Sequence, residues 1–263
     1  MAYDRLRQLL VGASFVFAIA INGAANVLPI NGQTTAEISD RFRVFVVPAG
    51  YVFAIWGLVY LGQLAFLFQT LRPSRLGDPL LRGIGLWPVA VATLNGIWIL
   101  LWHYEVFPAT VAVMLALLAS LILLYRRAGF ERIARPGSGT SPSDRWLVQV
   151  PFSIYLGWIT VATIANVAAV GNWAGVSTFG LAPELAAAAV LAVGLVIAVL
   201  VMLRTADVAY GAVIIWAYLG IVVKEAATPW VPWVAGFGVA VMVVLILAAF
   251  SRRRSPLTPL PAG

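Results

Sequence analysis

From Ala187 to Val201 the chain runs fifteen residues without a polar or charged side chain, and this is one of eight predominantly apolar stretches. Backbone N–H and C=O groups in hydrocarbon must be satisfied within the segment that carries them, so unbroken runs of this kind become helices. Barrel strands would alternate apolar and polar residues, and these runs do not. A helix needs about 20 apolar residues to cross a bilayer core of about 30 Å. That criterion predicts spans over 8–28, 47–69, 83–102, 106–125, 146–169, 184–203, 208–223 and 230–250, an all-α polytopic transmembrane bundle. Only 10% of the residues are charged, against about 25% in soluble domains, so no water-facing surface can be built from them. A soluble enzyme, a disordered binder and a nucleic-acid reader are excluded together. Cysteine is absent, which removes disulfides, thiolate metal sites and thiol catalysis.

The net charge of +7 would fit an acidic partner, but the 17 cations fall in the gaps between apolar runs. With eight crossings, Arg41, Arg43 and Lys224 lie on one side and the other fourteen on the opposite side. The positive-inside rule then places both termini in the cytoplasm, in the plasma (inner) membrane of a cell. Arg5 and Arg7 ahead of the first run also imitate a signal peptide, whose cleavage would leave the later orientation unchanged. No clean cleavage site precedes Pro29, so an uncleaved first span is expected.

Between the spans, loop 126–145 carries five arginines and the flexible run Pro136–Ser143. It reads as a linker whose cations mark topology and touch lipid head groups. Outer loop 29–47 contains Asn31-Gly32, a turn signal, and Thr34-x-x-Glu37, a capping box that would open a short helix through about Phe42. Such a helix either rests on head groups or covers a cavity between the spans. His103 and Glu105 are too few to hold a metal. Lys224 sits at a helix end beside Glu225, unlike the mid-helix lysine a retinal Schiff base requires.

Inside the spans the polar residues are mostly amides: Asn22 and Asn26, Gln63, Asn95 and Asn166. No carboxylate lies near the middle of a span, which argues against a pump or ion transporter built on one. Three stripes have helical spacing: Phe53, Trp56, Tyr60 and Gln63; Asn95, Trp98 and Trp102; and Tyr155, Trp158, Ala162 and Asn166. As helix–helix glue, each amide would contribute about 0.6 kcal/mol with tryptophan filling space. The same three stripes also describe a pocket of ring faces and amides for a flat, largely apolar ligand.

These residues resemble the TspO/MBR family, the tryptophan-rich sensory and translocator proteins. Pro48-Ala49-Gly50-Tyr51-Val52-Phe53 with Trp56 and Tyr60 resembles its second-helix signature. Leu94-Asn95-x-x-Trp98 resembles the third-helix motif, and Tyr155-x-x-Trp158-x-x-x-Ala162-x-x-x-Asn166 the fifth. The departures are Ala49, Gly50 and Tyr51, where the family usually has a second proline and a tryptophan, and a shortened interval from Phe53 to Trp56. The likeness covers roughly residues 8–170. It implies a five-helix core over residues 1–170 with outer loop 29–47; the three additional helices over 171–251 and the basic cytoplasmic tail, 252–263, follow from the apolar runs and the charges, and the resemblance does not explain them.

The resemblance further implies a cavity, covered by the first loop, that binds porphyrins, haem-like tetrapyrroles or sterol-like lipids. Matched residue by residue, the expected ligand-binding set is Trp56, Tyr60, Asn95, Trp98, Trp158, Ala162 and Asn166, with Tyr51 and Phe53 as second choices. The chain would bind, sense or carry such a ligand, and nothing in its residues independently supports catalysis. Two other readings stay open: a secondary transporter using all eight spans, for which no repeat links 8–125 to 146–250, and a structural subunit without a ligand. Small residues at Ala186–Ala189 and Gly194 fit close helix contact, within the chain or in a homodimer.

Overall fold

The computed structural model describes residues 2–28, 30–129, 140–176, 178 and 180–254. Arg132, Arg135, residues 136–139 of the flexible run and residues 255–263 of the tail lie outside the described residues. So do the side chains of Asn26, Arg252, Arg253 and Arg254. Among the described residues there is no strand. The helices are α1 (Ala2–Val27), α2 (Thr35–Asp40), α3 (Ile55–Leu71), α4 (Pro79–Ile84), α5 (Trp87–His103) and α6 (Phe107–Arg127). They continue with the single turn α7 (Pro142–Asp144), then α8 (Val150–Trp173), α9 (Pro183–Thr205), α10 (Val208–Lys224) and α11 (Val231–Arg254).

Each predicted apolar run is a helix, and the differences lie at the starts, where local chemistry overrides hydropathy. The second run opens as a 3-10 turn, Gly50–Ala54, before α3 begins at Ile55. The third run is broken: α4 ends at Gly85, whose φ of 65° and ψ of −130° suit only glycine, and α5 restarts at Trp87 with Pro88 in its first turn. The fifth run opens with a π-helical turn, Arg145–Gln149, ahead of α8. Between α9 and α10 the chain turns at Ala206, left-handed at φ 48°, and the Asp207 side chain then caps α10 by accepting from the N–H groups of Ala209 and Tyr210.

Among the described residues six segments are long and apolar enough to cross a bilayer; α5 and α10 are shorter, at 17 residues each. At 1.5 Å per residue such a helix is about 25 Å long, the lower end of what spans a hydrocarbon core. The chain's centre is α8, which packs against α3, α6, α9 and α10 and buries Phe152, Tyr155, Trp158 and Ile159. Gly157 lets α10 come close: a Cβ there would lie 3.0 Å from that of Val213. One apolar cluster runs from Phe15 on α1 to Met242 on α11, so the last three helices share a core with the first five.

Polar contacts tie one end of the bundle together. Arg82 donates two hydrogen bonds to Asp4, Arg75 pairs with Asp78 and Asp144, and Asp207 accepts from the hydroxyls of Tyr125 and Ser153. Arg126, Arg127, Arg145 and Arg204 share that end, because α6 and α9 finish there and α8 and α10 start there. Arg41 and Lys224 are at the other.

Candidate functional site

At the end away from those arginines, α3, α5, α6 and α8 surround a cavity of about 50 Å³. Phe53 and Trp56 line it from the second-run segment, Trp98 and Trp102 from α5, and Met114 from α6. From α8 come Trp158, Val161, Ala162, Ala165, Asn166 and Ala169. The small residues 162, 165 and 169 fall on one helical face and leave the space that larger side chains would fill.

The rings pack in a fixed order. Trp56 stacks on Tyr60 with centroids 5.5 Å apart and meets Trp158 edge-on at 6.1 Å. Phe53 meets Trp158 edge-on at 5.6 Å, and Trp98 stacks on Trp102 at 5.4 Å. These offset and edge-to-face arrangements are the ones the ring quadrupole favours.

Six of the nine predicted residues line the cavity: Phe53, Trp56, Trp98, Trp158, Ala162 and Asn166. Tyr60 and Asn95 instead join helices beside it. The Tyr60 hydroxyl donates to Asn22 Oδ1 at 2.6 Å, and Asn22 Nδ2 donates to Asn95 Oδ1 at 2.7 Å, linking α3, α1 and α5. Tyr51 lies apart from the cavity, 49% exposed and edge-on to Trp216 of α10 at 5.5 Å. Of the lining residues outside the predicted set, Trp102 was legible, one turn beyond Trp98 on the same stripe. Met114, Thr35 and Ser39 carry no signal that would have singled them out.

Hydrogen bonding divides the lining polar groups in two. Trp102 Nε1 donates to the Thr35 carbonyl at 3.3 Å, and Asn166 Nδ2 donates to Thr110 Oγ1 at 3.0 Å. In contrast, Trp98 Nε1, Trp158 Nε1 and Asn166 Oδ1 are buried with no hydrogen-bond partner among the described residues. Buried polar groups are ordinarily paired, so two donors and one acceptor left over on the lining of one cavity demand an explanation.

Outer loop 30–47 forms the remaining wall. The capping box is present: Thr34 Oγ1 accepts from the Glu37 N–H at 3.3 Å, and the Thr34 N–H donates to Glu37 Oε2 at 2.7 Å. These hydrogen bonds hold the Glu37 carboxyl below its ordinary range. The helix so opened, α2, turns Ile38 fully inward and lines the cavity with Thr35 and Ser39, while Phe42 packs edge-on against Phe107 at 5.2 Å. The α5–α6 hairpin holds the loop in place. Arg41 bonds Glu105 at 2.8 Å, Gln33 Nε2 donates to the same oxygen at 3.2 Å, and Asn31 Nδ2 donates to the His103 carbonyl at 3.0 Å. Of the two positions open to this loop, cavity wall or head-group rest, the structure adopts the first.

A sequence profile of the family described as TSPO-like protein matches residues 8–248. The chain belongs to the TSPO-like family. The match passes residue 170 and continues through α9 and α10 into α11, beyond the stretch in which the three recognisable motifs fall. No curated protein and no solved structure matches the chain significantly. Family and membrane-length helices together make this TSPO-like chain a multi-pass integral membrane protein.

Proposed function

We propose that the chain binds a flat, largely apolar molecule bearing a few polar edge atoms, a porphyrin or related tetrapyrrole first and a sterol-like lipid second, in the cavity beneath α2. The observation that carries this reading is the set of unpaired groups on Trp98, Trp158 and Asn166, which offers two donors and one acceptor among aromatic faces. Rings would stack on the ligand and these three atoms would meet its polar edge. Drug-sized ligands occupy about 300–1,000 Å³, so a cavity of about 50 Å³ is the closed form. Binding therefore requires α2 and Phe42 to move outward, breaking the Arg41–Glu105 contact at 2.8 Å.

The test is titration of the detergent-purified protein with protoporphyrin, following tryptophan quenching. Saturable quenching is expected in the wild type, and at least tenfold weaker binding in a Trp158→Phe, Asn166→Leu double variant. Absence of saturation in the wild type would remove the reading. Equal affinity in the variant would place binding elsewhere. In the proposed topology all eight helices cross the inner membrane with both termini cytoplasmic, which puts α2 on the outer face.

A further inference from the structure

On the other flank of α8, α3 and α10 both pack against that helix and leave a lateral groove between them. It comprises two adjoining cavities of about 420 and 300 Å³ that share Ala209 and Ala212 of α10, and neither has a lining residue in common with the aromatic cavity. The larger is wholly apolar, walled by Ile55, Leu58, Ile154 and Trp216. Leu58, Ala212 and Trp216 are exposed, so the groove opens sideways, where a membrane protein meets acyl chains.

The smaller cavity ends in chemistry of a different kind. Arg145, in the π-helical turn that opens α8, lines it beside the exposed Trp146. Its guanidinium makes no ion pair and no side-chain hydrogen bond among the described residues. The nearby carboxylates are committed elsewhere: Asp144 to Arg75, and Asp207 to the Tyr125 and Ser153 hydroxyls and two α10 N–H groups. Asp207 lines the same cavity at 7% exposure, and its carboxylate is the acceptor in those four hydrogen bonds. An apolar channel about two and a half turns of α10 long, ending in an unpaired cation at the rim, complements one molecular class.

We propose that this groove is a discrete site for an anionic phospholipid, an acyl chain lying between α3 and α10 along α8 and the phosphate on Arg145. Small side chains at 54, 209 and 212 make the channel, and Trp146 flanks the head group at the interface. This site does not depend on the proposed ligand of the aromatic cavity.

Native mass spectrometry of the full chain in non-ionic detergent tests it, with phosphatidylglycerol and phosphatidylcholine of identical acyl composition added in turn. The wild type should retain phosphatidylglycerol about fivefold better, the effect of one arginine facing a phosphate whose charge is not offset by choline. Arg145→Gln should bring the ratio near one, while Arg145→Lys should keep most of the preference and guards against misfolding of the glutamine variant. Ala212→Phe, which obstructs the channel, should lower retention of both lipids. Arg204→Gln, at the same end of the bundle but outside the groove, should leave the ratio unchanged. Equal retention by the wild type, an unaltered ratio in Arg145→Gln, or an equal loss in Arg204→Gln would overturn the site.

Discussion

At the scale of single residues, Asn95 and Asn166 each leave one buried amide atom unpaired among the described residues, and only Asn166 lies on the cavity lining. Asn22 and Asn95 bond to each other across α1 and α5, with Tyr60 completing the link from α3. Removing that hydroxyl in Tyr60→Phe should destabilise the protein by about 0.6 kcal/mol, read by unfolding in mixed micelles, while leaving the cavity lining in place. Asn166 is only half used, since its Nδ2 reaches Thr110 and its Oδ1 has no partner. Trp158→Phe deletes an unpaired donor and leaves a smaller aromatic ring, so the loss of packing is offset by removal of a buried polar group that costs about 1–3 kcal/mol. Its stability should therefore change little while protoporphyrin quenching falls. Trp98, Trp158, Asn95 and Asn166 stood out in the sequence on helical stripes. Which of their polar atoms are satisfied was not legible there, because a hydrogen bond needs the facing helix.

At the scale of elements, two short segments contribute walls of the cavity. The first is α2, held by Arg41 and Gln33 on Glu105, which keep that carboxyl below its ordinary value of 4.5. A depressed carboxyl stabilises the closed loop above its ordinary value and loses that contribution as pH falls through the lowered one. Amide protection factors over residues 35–42, taken relative to the intrinsic exchange rate at each pH, should accordingly fall severalfold in acid, and Glu105→Gln should show much of that fall already at pH 7. The second is the 3-10 turn Gly50–Ala54, which leans on α10. Ala49 N–H donates to the Gly220 carbonyl at 3.2 Å, and Trp216 Nε1 donates to the Val52 carbonyl at 3.0 Å. A Cβ at position 220 would overlap the Val52 side chain, so Gly220→Ala should cost about 1–3 kcal/mol in the same unfolding assay. Combining it with Val52→Ala should recover part of the loss, a coupling expected of residues in contact. Pro48, two residues before this turn, lines the cavity, so α10 indirectly sets one of its walls. The capping box announced α2 from four residues, because a cap is a local structure; the docking of Val52 on Gly220 spans 168 positions and leaves no local mark.

At the scale of the whole molecule, the segregation of cations is the feature most open to direct test. Because the chain has no cysteine, single cysteines placed at Glu37 and at Arg127 can be labelled without background. An impermeant maleimide should reach position 37 from outside intact cells and position 127 only after the membrane is opened; labelling of both from one side would refute the eight-crossing topology. What the sequence alone determined was one-dimensional: that the chain is helical and membrane-embedded, where each apolar run lies, and which residue types share a helical face. Those properties follow from hydropathy, periodicity and local capping, all written in neighbouring residues. Tertiary structure decided the rest. It separated Tyr60 and Asn95 from the cavity lining, set Tyr51 against Trp216, brought α2 over the aromatic rings and fused the last three helices to the first five through α8. Each outcome depends on which helix faces which, and that choice is made by packing between residues far apart in the chain, where small side chains such as Gly157 and Gly220 allow close approach.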